Sequence, residues 1–108
     1  MTVTVTIDEL AAARADGAVV VDVREPGEYV AGHVPGARLM PMGQLASRAA
    51  DLDVAQPVYV ICASGNRSRA MADLLVRLGF DARSVDGGTS AWHGSGRPVV
   101  TGARADAA

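Results

Sequence analysis

The chain has 108 residues, a net charge of −2, 49% hydrophobic residues, one cysteine and no lysine. That length suits one domain spanning 1–108, with a single core that needs neither disulfide nor metal. The charge balance offers no basic stripe to nucleic acid, and no apolar run approaches the ~20 residues that span a bilayer.

Thr2 to Thr6 alternates polar and apolar residues, as a half-buried edge strand does. Thr6 with Glu9 makes a capping-box pattern and Val5 with Leu10 a hydrophobic staple, so an alanine-rich helix starts here and ends near Gly17. Val19 to Val21 is a buried strand closing at Asp22, and Pro26 opens a short helix after it. Asp22 and Arg24 would lie near the rim of any site at this strand end. The commoner role of an acidic residue after a strand is to cap a turn or hold an ion pair.

His33 lies in Gly32-His33-Val34-Pro35-Gly36, a loop dense with helix breakers. Ala37 to Met40 reads as a short strand, and Pro41 starts a helix through about Leu52 with Leu45, Ala49 and Leu52 facing inward. Met42 reads as a core residue. Asp53 to Pro57 is a linker.

Val58-Tyr59-Val60-Ile61 has the composition of a strand buried on both faces. Cys62-Ala63-Ser64-Gly65-Asn66-Arg67-Ser68 follows, and from Ser68 the apolar residues Met71, Leu74, Leu75 and Leu78 recur with helical spacing. Gly79 suits the left-handed position after that helix, with Phe80 packing back on Leu75. Ala82 to Val85 is a further strand. Gly87-Gly88 is a backbone device turning the chain into a short helix whose Trp92 anchors the core or a loop. Gly94 to Arg97 is a polar turn, Pro98 to Val100 rejoins the body, and residues 101–108 read as a frayed tail. Strands alternating with helices predict an α/β domain around a mostly parallel sheet, helices on both faces.

Cys62 therefore falls where a buried strand ends and a helix begins. Unpaired N–H groups and the helix dipole meet there, and such settings lower a thiol from about 8.5 toward roughly 3.5–7.5. Each unit favours the anion by about 1.4 kcal/mol. Ala63, Ser64 and Gly65 are small enough for the backbone to wrap the sulfur, and Arg67 is within reach either as a cation over it or as an outward loop clamp. A lone cysteine is otherwise most often a small buried hydrophobe.

The run from Cys62 to Ser68 resembles the active-site loop of the rhodanese family of sulfurtransferases, above all its small single-domain members. Asp22-Val23-Arg24-Glu25, Gly32-His33-Val34-Pro35-Gly36-Ala37 and Gly87-Gly88-Thr89-Ser90-Ala91-Trp92 match in the same order, as does the closing Gly96-Arg97-Pro98-Val99. The resemblance implies a five-stranded rhodanese-like domain and catalysis through a Cys62 persulfide. The substrate-binding loop would be Ala63, Ser64, Gly65, Asn66, Arg67 and Ser68. It implies a small-molecule sulfur donor such as thiosulfate, and a thiol, cyanide or protein-thiol acceptor. No metal or organic cofactor is implied, and Asp22, Arg24 and His33 would be structural. A catalytic His33 would have to come within hydrogen-bonding distance of Cys62, which single-step sulfur transfer does not require.

Two other readings compete. Cysteine phosphatases and arsenate reductases also use a cysteine loop closed by arginine, but with one residue more than the four between Cys62 and Arg67, and Ile61 stands where their usual histidine would be. A non-enzymatic module that senses persulfide or redox state, or binds a partner, is the alternative from another class. A free thiol fits a reducing compartment, and with neither a membrane span nor a signal-like start the expected location is the cytoplasm. Ala63 departs from the many thiosulfate-using members that carry a basic residue directly after the cysteine.

Overall fold

The computed structural model describes residues 2–106. Among them five strands alternate with five helices: β1 (Val3–Val5), α1 (Ile7–Ala15), β2 (Val19–Asp22), α2 (Pro26–Ala31), β3 (Arg38–Leu39), α3 (Leu45–Arg48), β4 (Val58–Ile61), α4 (Asn66–Arg77), β5 (Ala82–Val85) and α5 (Gly88–Gly94). The strands form one sheet in the order β1-β5-β4-β2-β3, and each neighbouring pair is parallel.

The middle strand, β4, is buried along its whole length. Its side chains alternate: Val58, Val60 and Cys62 join Leu45, Ala72 and Leu75 in the core beneath α3 and α4. Tyr59 and Ile61 join Leu10, Tyr29 and Trp92 in the core on the other side. This period of two, with apolar residues on both faces, is what a strand covered by helices on each side requires. Parallel strands bring the carboxyl ends of β2, β4 and β5 to one edge, where such sheets hold ligands.

Local signals account for the helix ends. Glu9 N–H donates to Thr6 Oγ1 at 3.1 Å and Thr6 N–H to Glu9 Oε1 at 3.0 Å, the reciprocal pair of a capping box. At the end of α4, Gly79 (φ +98°) donates to Val76 O at 3.0 Å and Phe80 to Leu75 O at 2.9 Å, a Schellman motif.

Four expectations are corrected. The helix expected from Pro41 to Leu52 is only α3, followed by a 3₁₀ turn over Ala49–Asp51. Met40 N–H donates to Asp22 O at 2.9 Å, Met42 N–H to Val23 O at 3.0 Å and Gln44 N–H to Pro41 O at 2.7 Å, so the chain leaves the β2 edge through a turn before α3 begins at Leu45. Met40 sits in the core with Val23 and Leu45 at 1% exposure, whereas Met42, expected in the core, lies in the turn before α3 and is 40% exposed. Leu78, expected on the buried face of α4, is 48% exposed because the helix ends at Arg77 and Leu78 is its cap. Residues 101–106 are tied to the body rather than loose: Gly102 N–H donates to Val30 O and Gly36 N–H to Ala105 O, each at 2.9 Å. The rest of the segment expected to fray, Ala107 and Ala108, lies outside the described residues.

Candidate active site

Cys62 follows β4 directly and is 1% exposed. Gly65 caps α4 at φ +113°, a left-handed conformation that glycine adopts without strain. That turn folds the loop back, so Gly65 N–H donates to Cys62 Sγ at 3.1 Å. Ser68, in the first turn of α4, places its Oγ 3.5 Å from the sulfur and 3.1 Å from Gly65 O. Burial alone would push the thiol up, but hydrogen bonds from the Ser68 hydroxyl and from the N–H groups of Ser68, Gly65 and Ser64 outweigh it and hold Cys62 below the usual thiol value.

A second helix start fixes this loop from the opposite side. Thr89 N–H and Oγ1 donate to Cys62 O at 2.9 and 3.1 Å, and Ser90 N–H donates to Ala63 O at 3.0 Å. A trans peptide sets its N–H opposite its C=O. Pinning the Cys62 and Ala63 carbonyls toward α5 therefore turns the N–H groups of Ala63 and Ser64 away from it. The approach is close enough that a Cβ on Gly88 (φ +58°) would lie 2.5 Å from Cys62 O and 2.6 Å from Ala63 O.

Arg67 resolves as a clamp. Its guanidinium takes both carboxylate oxygens of Glu28 on α2, at 2.7 and 2.8 Å. The hydrogen bond from Arg67 is the main reason the Glu28 carboxyl is lowered to about 2, against the opposing effect of burial. Arg67 is raised in turn, first by that bond and more weakly by the field of Cys62. A guanidinium committed in this fork is not free to grip the oxygens of a phosphate over the sulfur, and this argues with the short loop against phosphatase chemistry.

Asp22 and Arg24 form a buried pair at 0% and 6% exposure. Asp22 accepts from Arg24 Nε at 2.9 Å and from Nη2 at 2.8 Å, while Nη2 also donates to Gly32 O at 2.8 Å. The pair ties the end of β2 to the end of α2. His33 is fully buried, stacked on Tyr29 with ring centroids 3.6 Å apart. Its Nδ1 faces Tyr29 O and its Nε2 faces Arg104 O, each at 2.8 Å. With both ring nitrogens held by backbone carbonyls, His33 has none left for Cys62. Ser64 and Asn66 are exposed at the loop surface, and Ala63 is half-buried.

A cavity of about 290 Å³ opens beside the loop, with Arg24, Glu28, Ala63, Thr89, Ser90 and His93 in its wall. Glu28, Thr89, Ser90 and Ser84, whose hydroxyl lies 2.8 Å from that of Ser68, were not singled out by sequence reasoning. With the partly buried Arg83 beside it in β5, nothing local marked Ser84 as a buried hydroxyl in need of a partner.

Residues 6–95 match the rhodanese-like domain. The chain belongs to the rhodanese-like family. Among its relatives in that family, the thiosulfate sulfurtransferase GlpE of Pseudomonas fluorescens (strain SBW25) is 48% identical over 85 residues, 76% of each chain. GlpE of Pseudomonas entomophila (strain L48) is 40% identical over 87 residues, 80% of each chain. The crystal structure of a rhodanese-related protein from Thermoplasma volcanium superposes with a TM-score of 0.86 at 32% identity, covering 93% of this chain and 99% of that one. No helix among the described residues of this rhodanese-like chain is long and apolar enough to cross a membrane.

The lowered thiol has a measurable consequence. Iodoacetamide alkylation of Cys62 should show its midpoint below the ~8.5 of a free cysteine, with rates flat above that midpoint and falling below it as the thiolate is protonated. A midpoint at or above the free value would mean that desolvation wins over the loop donors.

Proposed function

We propose that this protein is a thiosulfate sulfurtransferase working through a Cys62 persulfide. The observation that carries the reading is the sulfur of the lone cysteine held by N–H donors at the start of α4, in a chain similar to enzymes named for this activity. The Cys62 thiolate attacks the outer sulfur of thiosulfate. The new S–S bond takes that sulfur, the old one breaks, and sulfite leaves with the bonding pair. The terminal persulfide anion then rests where the loop N–H groups point, so fixed dipoles meet the charge without reorganising. An acceptor thiolate, or cyanide, attacks the outer sulfur and releases Cys62 as thiolate. No proton has to be delivered at either displacement, which agrees with the engagement of both His33 nitrogens elsewhere. The cavity is of a size for a small acceptor, and a protein thiol would have to reach Cys62 on a projecting segment.

Thiocyanate release from thiosulfate and cyanide, with parallel lines in double-reciprocal plots, tests the ping-pong scheme. Persulfide formation without turnover toward cyanide or any thiol would instead assign the domain to sensing.

Donor charge supplies a further prediction. Arg24 and Arg67 are already committed, to Asp22 and Glu28 at 2.8 and 2.7 Å, and Arg69, in a loose exposed pair with Asp86 at 3.7 Å, does not line the cavity. Position 63, in the cavity wall, is a methyl group. Thiosulfate should therefore bind weakly, with a high KM. Ala63→Arg should lower that KM by about tenfold, since a charged hydrogen bond is worth roughly 1.5–3 kcal/mol before screening. An uncharged sulfane donor should change much less. Equal changes for both donors would mean that position 63 does not read charge.

A further inference from the structure

We propose that Ser84 is a positioning residue for the nucleophile, acting through Ser68 in a relay of hydroxyls that runs Ser84–Ser68–Cys62. The proposal takes Cys62 to be the nucleophile, as argued above. Ser84 is on β5, paired in register with Val60 of β4, and both serines are fully buried. Ser84 Oγ lies 2.8 Å from Ser68 Oγ, and Ser68 Oγ lies 3.5 Å from Cys62 Sγ and 3.1 Å from Gly65 O.

The chemistry of these groups sets the direction of each bond. A serine has one O–H to donate and two lone pairs to accept with. Ser68 has a carbonyl, Gly65 O, which can only accept, so Ser68 donates to it while Cys62 is a thiol. Its two lone pairs then take the Cys62 S–H and the Ser84 O–H, and every polar hydrogen in the cluster is satisfied. If Ser84 accepted instead, Ser68 could not also donate to Gly65 O, and the buried Ser84 proton would need another acceptor. When Cys62 loses its proton, the sulfur changes from donor to acceptor. The Ser68 hydroxyl rotates from Gly65 O to the thiolate, and the bond it keeps from Ser84 polarises it into a stronger donor. Ser84 thus holds the Ser68 oxygen in place in both states and leaves its proton free to follow the charge. The same rotation serves the persulfide cycle, in which the sulfur of Cys62 alternates between thiolate and a neutral S–S link.

The test is a double-substitution cycle read by the pH dependence of Cys62 alkylation, on the full chain. Ser84→Ala should raise the midpoint by roughly half to one unit, on the order of a three- to tenfold loss of thiolate below both midpoints. Ser68→Ala should raise it further. In the Ser68→Ala background, Ser84→Ala should add nothing, because its route to the sulfur is gone. The charged groups around the site, Arg67, Glu28 and the Asp22–Arg24 pair, are left unchanged by these substitutions. Should Ser84→Ala fail to fold, Ser84→Thr and Ser84→Val, alike in bulk and differing in the hydroxyl, give the same comparison. An unchanged midpoint, or the same shift in both backgrounds, would overturn the relay and leave Ser84 a packing residue. Alkylation needs no sulfur donor. A low-midpoint thiol that never accepts sulfur would overturn the proposed function while leaving the relay result intact.

Discussion

Cys62→Ser should keep the fold and lose turnover by a factor on the order of 10⁴ or more, the scale on which covalent catalysis fails when its nucleophile is removed. The substitution is nearly isosteric, and the carbonyl bonds that hold the loop to α5 do not involve the sulfur. Thermal unfolding should therefore shift little. A serine hydroxyl in the same cradle is not ionised near neutral pH, and it offers no sulfur to carry the persulfide. Thiocyanate release from thiosulfate and cyanide is the measurement. Residual turnover well above the uncatalysed reaction would place the chemistry on another residue.

Gly88→Ala should damage stability and activity together. At φ +58° an alanine already carries a left-handed strain of roughly 1–2 kcal/mol. Its Cβ would also lie 2.5 Å from Cys62 O and 2.6 Å from Ala63 O, and these are backbone atoms that cannot swing aside. Relief requires α5 and the cysteine loop to separate, which breaks the bonds from Thr89 and Ser90 to those carbonyls and turns the Ser64 N–H off the sulfur. A loss of about 3 kcal/mol or more in urea unfolding is expected, in the range of strained and overpacked sites, along with a raised alkylation midpoint. Gly94→Ala on the same helix is the control. Outside its chain neighbours and the adjoining helix backbone, no heavy atom lies within 4 Å of its added Cβ, so it should be neutral or slightly stabilising. If Gly88→Ala behaved like Gly94→Ala, the start of α5 would not be what holds the loop.

The parts of this site legible in the sequence are those whose causes are local. A buried β-branched run, a glycine-containing loop and an amphipathic helix placed Cys62 at a strand end, and the capping box at Thr6 and the turn at Gly79 were legible for the same reason. What the sequence could not show depends on contacts distant in the chain. The orientation of Arg67 was left open because its partner, Glu28, is 39 positions away. Met42 lies in a turn outside the core because the chain stays bonded to the end of β2 before α3 begins, and no periodicity in the 41–52 segment reveals that. The 101–106 segment has the composition of a loose tail. It is held by Val30, His33 and Gly36, which donate to it or accept from it across some 70 positions. Ser84 sits beside Arg83 in β5, so its burial was not legible locally, and its partner Ser68 belongs to another element.

The central claim is that Cys62 carries sulfur between donor and acceptor, and intact mass spectrometry tests it most directly. The wild-type protein should gain the mass of one sulfur atom after thiosulfate or another sulfane-sulfur donor, with the adduct on the peptide containing Cys62. That gain should disappear on addition of a thiol or cyanide. No reversible adduct with any donor, or an equal adduct on Cys62→Ser, would contradict the account.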